Sequence, residues 1–195
     1  MEENMNVDFV IENPNEKSKK NAESIYDIAS IIVSAVISVG IIFTFLFKIS
    51  TVSGESMENT LHNADRLIIS SIVTDVEYGD VVVTSQPNLF NKVLIKRVIA
   101  VGGQTVWFDE ETGKVIVDGK ALDEPYIKEE MEYTPAMDKL FTVPEGKIFV
   151  MGDNRNNSSD SRDEFVGFID ENYIVGKVVY RFGDKELFNS DFKEL

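Results

Sequence analysis

Ser56 and Lys96 are two residues whose types could together perform nucleophilic catalysis. A serine hydroxyl becomes a strong nucleophile when a base takes its proton, and a lysine amine can be that base when it is neutral. Lys96 lies in the apolar run of residues 93–99, and burial beside apolar side chains disfavours the charged ammonium. The pair therefore predicts a serine hydrolase with a lysine base. The alternative is an edge-strand lysine whose charged end reaches solvent.

The segment around Ser56, residues 53–61 (SGESMENTL), contains a glycine shortly before the serine. Gly54 can adopt backbone angles that other residues avoid. A bend here would expose the Ser56 hydroxyl and direct a nearby backbone N–H at a reacting oxygen. A serine that simply belongs to a turn is the alternative.

A third segment, residues 151–162 (MGDNRNNSSDSR), follows an apolar run and is dense in hydrogen-bonding groups. Its charged side chains could form ion pairs that hold Ser158 in place, and they are Asp153, Arg155, Asp160 and Arg162. A calcium loop is the rival interpretation, but Arg155 stands where such a loop needs an oxygen ligand. A solvated turn is the other alternative.

Composition excludes several kinds of chemistry. The chain has no cysteine and one histidine, His62. Disulfides, thiolate metal sites, cysteine nucleophiles and multi-histidine metal centres are therefore excluded. We expect His62 to be an ordinary surface residue, and we expect no metal and no cofactor. The formal net charge of -15 argues against nucleic acid as a partner, because phosphate binding needs a basic surface.

Residues 28–47 carry no charge. They are long enough to span a hydrocarbon core of roughly 30 Å, and longer than the roughly 7–15 residues of a signal-peptide apolar core. We therefore predict a disordered cytoplasmic tail over residues 1–25, a transmembrane anchor over 26–47 and an extracytoplasmic serine protease domain over 48–195. A cleaved signal peptide and a buried core helix are the alternatives. A small excess of lysine before the run favours a cytoplasmic N-terminus.

The rest of the chain has the pattern of an all-β domain. Short runs rich in Val, Ile and aromatic residues alternate with Gly, Pro, Asn and Asp turn signals. The fold class predicted is mainly β, an antiparallel, barrel-like sheet with one N-terminal transmembrane helix, and residues 114–117 should form a small hairpin excursion. The predicted strands are residues 66–73, 80–84, 92–101, 105–108, 114–117, 147–151 and 173–182.

Five segments, in order, resemble those of bacterial type I signal peptidases, the Ser-Lys enzymes of peptidase family S26 that remove signal peptides from exported proteins. The resemblance covers nearly the whole chain after the anchor, and the single anchor is similar to the Gram-positive branch. The segments are residues 53–61, 78–83 (YGDVVV), 96–99 (KRVI), 122–127 (LDEPYI) and 152–162.

The resemblance implies that Ser56 is the nucleophile, that Lys96 is the general base and that Ser158 orients the lysine amine. It implies that the Ser56 backbone N–H donates to the oxyanion. It also implies that the partners are exported preproteins and the lipid bilayer, with the catalytic domain outside the cell membrane. Further supporting residues are predicted to be Gly54, Arg97, Asp153, Asp160 and Arg162.

The chain departs from the family pattern near the nucleophile. Asn59 stands where the family usually has proline. Gly54 stands where some relatives have a serine whose hydroxyl completes the oxyanion hole, so the second oxyanion donor is unassigned. Beyond the lysine strand, Ala100 and Gln104 replace a common glycine and an acidic residue.

Three rival classes follow from the same pattern. One rival is a membrane-anchored binding module of the same fold with impaired catalysis, and the departures at Gly54 and Asn59 are its support. A Ser-Lys self-cleaving repressor-type protease would need a DNA-binding helical domain where this chain has its apolar run. A Ser-His signal peptidase would need histidine at position 96, where the chain has lysine.

Overall fold

The computed structural model describes residues 14–87 and 93–182. Its first element is a long helix, α1, from Pro14 to Leu46. Proline at the first helical position is favourable because its missing N–H would have no intrahelical partner there. Every side chain from Ser24 to Phe45 is exposed, and the stretch Ser24–Leu46 is long and apolar enough to cross a membrane.

The helix differs from the predicted boundaries at both ends. Residues 14–25, which the sequence assigned to a disordered tail, are helical. Their Glu, Lys and Ala residues are good helix formers, and adding residues to an existing helix costs less than nucleating one. Phe47, assigned to the anchor, begins the first strand instead. Residues 1–13 lie outside the described residues.

Eleven strands follow in the described part of the chain, with a short 3-10 helix, Glu171–Tyr173, before the last of them. The strands are β1 Phe47–Thr51, β2 Arg66–Ser70, β3 Val81–Thr84, β4 Leu94–Val101, β5 Thr105–Phe108, β6 Val115–Val117, β7 Lys120–Ala121, β8 Phe141–Thr142, β9 Lys147–Met151, β10 Ile169–Asp170 and β11 Ile174–Phe182.

The strands form two sheets. The larger sheet has the order β1-β2-β11-β3-β4-β9-β10, and the smaller has the order β7-β6-β5-β8. Each pairing among the described strands is antiparallel. The mainly β, antiparallel fold class is therefore confirmed, as is the hairpin excursion, in which β6 pairs with both β5 and β7.

All seven predicted strands are present, with small differences at their ends. The sequence missed β1 and the two-residue strands β7, β8 and β10. Two residues are too few to display the alternation that marks a strand, so only backbone pairing reveals them.

The chain divides between Thr44 and Phe45 into two compact units. In the second unit, one apolar cluster contains Val52, Met57 and Leu61 from the segment around Ser56, packed with strand residues such as Leu67 and Val81. The segment that carries Ser56 is thus fixed to the sheet by buried side chains on both sides of the serine.

Candidate active site

Lys96 lies in the interior of the larger sheet. Strand β4 pairs with β3 on one side, where Lys96 is opposite Val82, and with β9 on the other. The lysine is 3% exposed. This position excludes the edge-strand alternative for Lys96, because its strand has a neighbour on each side.

The pKa of the Lys96 amine is lowered, and burial is the largest cause. The carboxylates of Asp160 and Asp153 oppose the shift by favouring the ammonium, and the Arg162 guanidinium acts in the same direction as burial. Desolvation prevails, so the amine loses its proton at a lower pH than an exposed lysine does.

Ser56 lies in a turn that follows β1. The Leu61 N–H donates to the Met57 carbonyl at 2.8 Å, and both side chains are buried. Lys96 Nζ lies 2.6 Å from Ser56 Oγ. The structure therefore brings together the two residues that the sequence proposed as base and nucleophile.

Arg97, the next residue on β4, is buried and faces an acidic partner. Its Nε and Nη2 atoms donate to the two carboxylate oxygens of Asp153 at 2.9 and 2.8 Å. Thr60, in the turn that contains Ser56, also donates to Asp153, and Arg97 Nη1 donates to the Gly79 carbonyl at 2.8 Å. The pair of Arg97 and Asp153 therefore connects β4, the turn that contains Ser56 and the loop after β9.

Asp160 and Arg162 form a second buried ion pair. Arg162 Nε donates to Asp160 Oδ1, and its Nη2 donates to Oδ2, each at 2.8 Å. Burial is the largest single influence and raises the pKa of Asp160, but the hydrogen bond and charge of Arg162 together with the Gly152 N–H and Ser158 lower that pKa overall. The carboxylate also accepts the Gly152 N–H at 3.0 Å. The pair thus fixes the start of the loop after β9.

Gly152 lies where the loop after β9 meets Ser56. A Cβ atom built there would overlap with the Ser56 carbonyl oxygen and with Ser158 Oγ. Glycine is required here for this close approach, and its absent side chain allows both serines to pack against one α-carbon.

Ser158 Oγ is buried and makes no hydrogen bond of standard geometry within the described residues. It is nevertheless close enough to Asp160 to contribute to the lowered pKa of that carboxyl group. Ser158 lines a cavity beside Arg155 and Arg162, whereas Lys96 lines a different cleft.

Two asparagine side chains hold the backbone around the nucleophile. Asn63 Oδ1 accepts the N–H of Gly54 at 3.0 Å. Asn154 Nδ2 donates to the Glu55 carbonyl at 3.1 Å, and the Asn154 N–H donates to the Ser56 carbonyl at 3.0 Å. Gly54 itself has φ +107, in the region that favours glycine.

Sequence reasoning did not identify either asparagine as part of the site. Asn154 lies inside the 151–162 segment, whose many hydrogen-bonding side chains were the feature that could have pointed to it. Nothing in the sequence separated Asn63 from the other residues of its turn.

Arg155 pairs with Glu124 rather than with an aspartate of its own segment. Its Nη1 and Nη2 atoms donate to the Glu124 carboxylate at 3.0 and 2.6 Å, and its Nε donates to the Gly152 carbonyl at 3.0 Å. Next to this pair, the ring of Tyr126 lies 4.0 Å from the guanidinium carbon of Arg97. The 122–127 segment thus contacts both Arg155 and Arg97 and supports the site. These contacts join distant parts of the chain, so the spacing of residues along the sequence does not reveal them.

In the described residues, His62 makes no hydrogen bond to Ser56 or Lys96. Its side chain is 58% exposed, and its closest polar neighbours are Arg181 at 3.4 Å and Asp65 at 3.9 Å. The expectation of a surface histidine is confirmed.

The cleft that contains Ser56 and Lys96 is lined by residues 53–55 and by Leu94, Asn157 and Ser159. It is open to solvent at the Gly54 position, where an added Cβ would meet no atom within 4 Å. A serine hydroxyl in contact with a buried lysine amine is an arrangement that can activate the hydroxyl as a nucleophile, and it indicates a serine hydrolase.

Comparisons with known proteins agree with that class. The family model described as signal peptidase, peptidase S26, matches residues 25–183. A signal peptidase I from Bacillus licheniformis is 35% identical over 177 residues, which is 86% of this chain and 93% of that protein. A signal peptidase IB from Staphylococcus aureus is 34% identical over 182 residues, which is 80% of this chain and 92% of that protein.

A crystal structure of a signal peptidase I from Enterococcus faecalis V583 is 30% identical, with a TM-score of 0.43, and covers 54% of this chain and 98% of that chain. The family match and the identities with the Bacillus and Staphylococcus proteins decide the assignment. The chain belongs to the signal peptidase I family, the serine peptidases of family S26, and is a membrane-anchored hydrolase that processes signal peptides.

Proposed function

We propose that the protein removes signal peptides from exported preproteins through a Ser56–Lys96 dyad and an acyl-enzyme. The observation that carries this proposal is the 2.6 Å contact between Lys96 Nζ and Ser56 Oγ at a buried position. A hydrogen bond of this length lets a proton pass from the hydroxyl to the amine.

In the acylation step, neutral Lys96 takes the hydroxyl proton while Ser56 Oγ attacks the scissile carbonyl carbon. The tetrahedral intermediate collapses as the peptide C–N bond breaks. The Lys96 ammonium gives its proton to the leaving amine, and the signal peptide remains bound to Ser56 as an ester.

In the deacylation step, Lys96 is neutral again and takes a proton from a water molecule. The water oxygen attacks the ester carbonyl carbon, the bond between that carbon and Ser56 Oγ breaks, and Lys96 returns the proton to Oγ as the signal peptide leaves with a free carboxyl group. In this proposal Ser158 orients the lysine amine. Its hydroxyl is buried without a hydrogen bond of standard geometry in the described residues, and it lies close enough to Asp160 to lower the pKa of that carboxyl group.

The Ser56 backbone N–H stabilises the oxyanion of both tetrahedral intermediates in this proposal. It donates to no protein acceptor in the described part of the chain, so it is available to a substrate. The cleavage segment would lie extended in the cleft and add to exposed backbone groups as a strand.

We propose that residues 48–195 are the extracytoplasmic catalytic domain, attached to the membrane by α1 with the N-terminus in the cytoplasm. Support comes from the apolar stretch Ser24–Leu46 and from the lysines that precede it. Exported preproteins would then meet the enzyme as they leave the membrane.

The test is cleavage of a model preprotein by the purified full-length protein in detergent, with the new N-terminus located by mass spectrometry. We expect one cut after the signal peptide in the wild type, and none in Ser56→Ala or Lys96→Ala. A folded wild type that never cuts would favour a binding module of the same fold.

A further inference from the structure

The peptide group between Glu55 and Ser56 is held by one side chain. Asn154 Nδ2 donates to the Glu55 carbonyl oxygen at 3.1 Å. The main-chain N–H of Asn154 donates to the carbonyl of the next peptide group, that of Ser56, at 3.0 Å, and this bond does not depend on the side chain. Asn154 is 2% exposed. The Asn154 carboxamide is therefore shielded from solvent and has a fixed position, although Glu55, whose carbonyl it holds, is exposed.

Planarity transmits this constraint to the Ser56 N–H. In a trans peptide the C=O and N–H bonds point in opposite directions. Within residues 14–87 and 93–182 the one cis peptide bond is Glu58–Asn59, so the bond between Glu55 and Ser56 is trans. A Glu55 carbonyl turned towards Asn154 leaves the Ser56 N–H pointing away from Asn154.

The Ser56 N–H is the group that the proposed function assigns to the oxyanion. It has no protein acceptor within the described residues, and Ser56 lines the cleft that contains Lys96. A rotation of this peptide would withdraw the donor from the cleft. The orientation of one peptide plane therefore decides whether the oxyanion is stabilised.

We propose that Asn154 is a positioning residue that orients the Ser56 N–H as the oxyanion donor by holding the Glu55 carbonyl. This inference rests on the proposed function. It also accounts for the residue type, because an aspartate at 154 would place a carboxylate, which only accepts hydrogen bonds, against a carbonyl oxygen.

The experiment compares Asn154→Asp and Asn154→Ala with the full-length wild type in detergent, using the same model preprotein. The matched control is Asn156→Asp, which makes the same chemical change in the same loop. Asn156 Nδ2 donates to the Glu130 carbonyl at 3.0 Å, away from the nucleophile segment.

We expect both Asn154 variants to lose about 10²-fold in kcat, the lower end of the effect of removing one oxyanion-hole donor. KM should remain close to the wild-type value, and Asn156→Asp should keep the wild-type kcat. The alkaline rise of activity should keep its midpoint in Asn154→Ala, because the residue acts through the peptide and not through the Lys96 amine.

A second readout separates positioning from a general structural role. A substrate-like peptide boronate forms a tetrahedral adduct with the serine, whereas the corresponding peptide amide binds without one. The Asn154 variants should lose affinity for the boronate in proportion to kcat/KM and keep their affinity for the amide. If either variant fails to fold, Asn154→Ser replaces it, because the serine side chain is too short to reach the Glu55 carbonyl. The same comparison of boronate affinity with amide affinity then applies.

The outcomes distinguish this inference from the proposed function. If the wild type does not cleave the preprotein, the proposed function itself is wrong. If the wild type and Asn156→Asp cleave while the Asn154 variants retain wild-type kcat, or lose boronate and amide binding equally, only the role of Asn154 is overturned.

Discussion

At the scale of single residues, the site contains a buried lysine, and burial of its charged ammonium form costs free energy of desolvation. The pKa of Lys96 is lowered first by burial, and two nearby carboxylates, Asp160 and Asp153, partly oppose the shift. In the proposed mechanism, burial would favour the neutral Lys96 amine before proton transfer, and the two carboxylates would stabilise the ammonium formed by it. Both conditions are needed for a base that must accept and then return a proton.

This balance predicts a pH dependence. Below its lowered pKa the Lys96 amine is protonated and cannot accept the Ser56 proton. We therefore expect kcat/KM to rise with pH to a plateau, and the midpoint of the rise to lie below 10.5, the pKa of an unperturbed lysine. The pH profile of peptide cleavage measures this midpoint. Lys96→Arg should lose about 10²–10⁴-fold in kcat/KM, because a guanidinium stays charged.

A wild-type profile that is flat from neutral to alkaline pH would contradict the titrating base. So would substantial activity in the arginine variant, since that side chain has no neutral form at these pH values.

At the scale of elements, strand β4 performs two tasks with consecutive residues. Successive side chains of a strand point to opposite faces. Lys96 therefore reaches Ser56, while Arg97 reaches Asp153. The loop after β9 supplies Asp153, and β9 pairs with β4. One strand thus carries both the candidate base and the arginine of the buried ion pair, and the neighbouring strand leads into the loop that holds the partner of that arginine.

The buried pair of Arg97 and Asp153 should be important for stability. Asp153→Ala leaves the guanidinium buried without its carboxylate, and we expect a loss of about 3–5 kcal/mol in the free energy of unfolding. Chemical denaturation followed by the fluorescence of Trp107, the single tryptophan, measures the change. The control is Glu164→Gln, which removes the exposed ion pair with Lys139 and should have little effect.

An equal, small change in the two variants would show that the buried pair is not a stabilising tie. A loss of activity without a loss of stability would instead assign Asp153 to the chemistry.

At the scale of the whole molecule, an exposed apolar helix and an acidic catalytic unit require different surroundings. The side chains from Ser24 to Phe45 are exposed, and such a helix is stable when lipid covers it. The whole chain has a formal net charge of -15, and a net charge far from zero favours solubility in water.

The proposed orientation can be tested with single cysteines, because the chain has none of its own. In intact cells a membrane-impermeant maleimide should label Lys120→Cys, at an exposed site in β7, and should label Ser18→Cys only after the membrane is permeabilised. Gel-shift labelling of the two variants measures this. The reverse pattern would place the catalytic unit in the cytoplasm.

The sequence by itself determined the apolar helix, the candidate pair of Ser56 and Lys96, and seven of the eight strands of three or more residues in the described chain, β1 being the exception. These are local features, since apolar length, alternation along a strand and turn residues are written in consecutive positions. The two-residue strands and the end of α1 before Phe47 were not predictable, because pairing with other strands decides them.

Only the tertiary structure decided what the site residues contact. It placed Lys96 Nζ 2.6 Å from Ser56 Oγ, paired Arg155 with Glu124, and brought Asn154 to the peptide group before the nucleophile. These contacts join residues far apart in the chain, and they form because antiparallel pairing and burial of apolar side chains fix the backbones first. Spacing along the sequence carries no information about such distances.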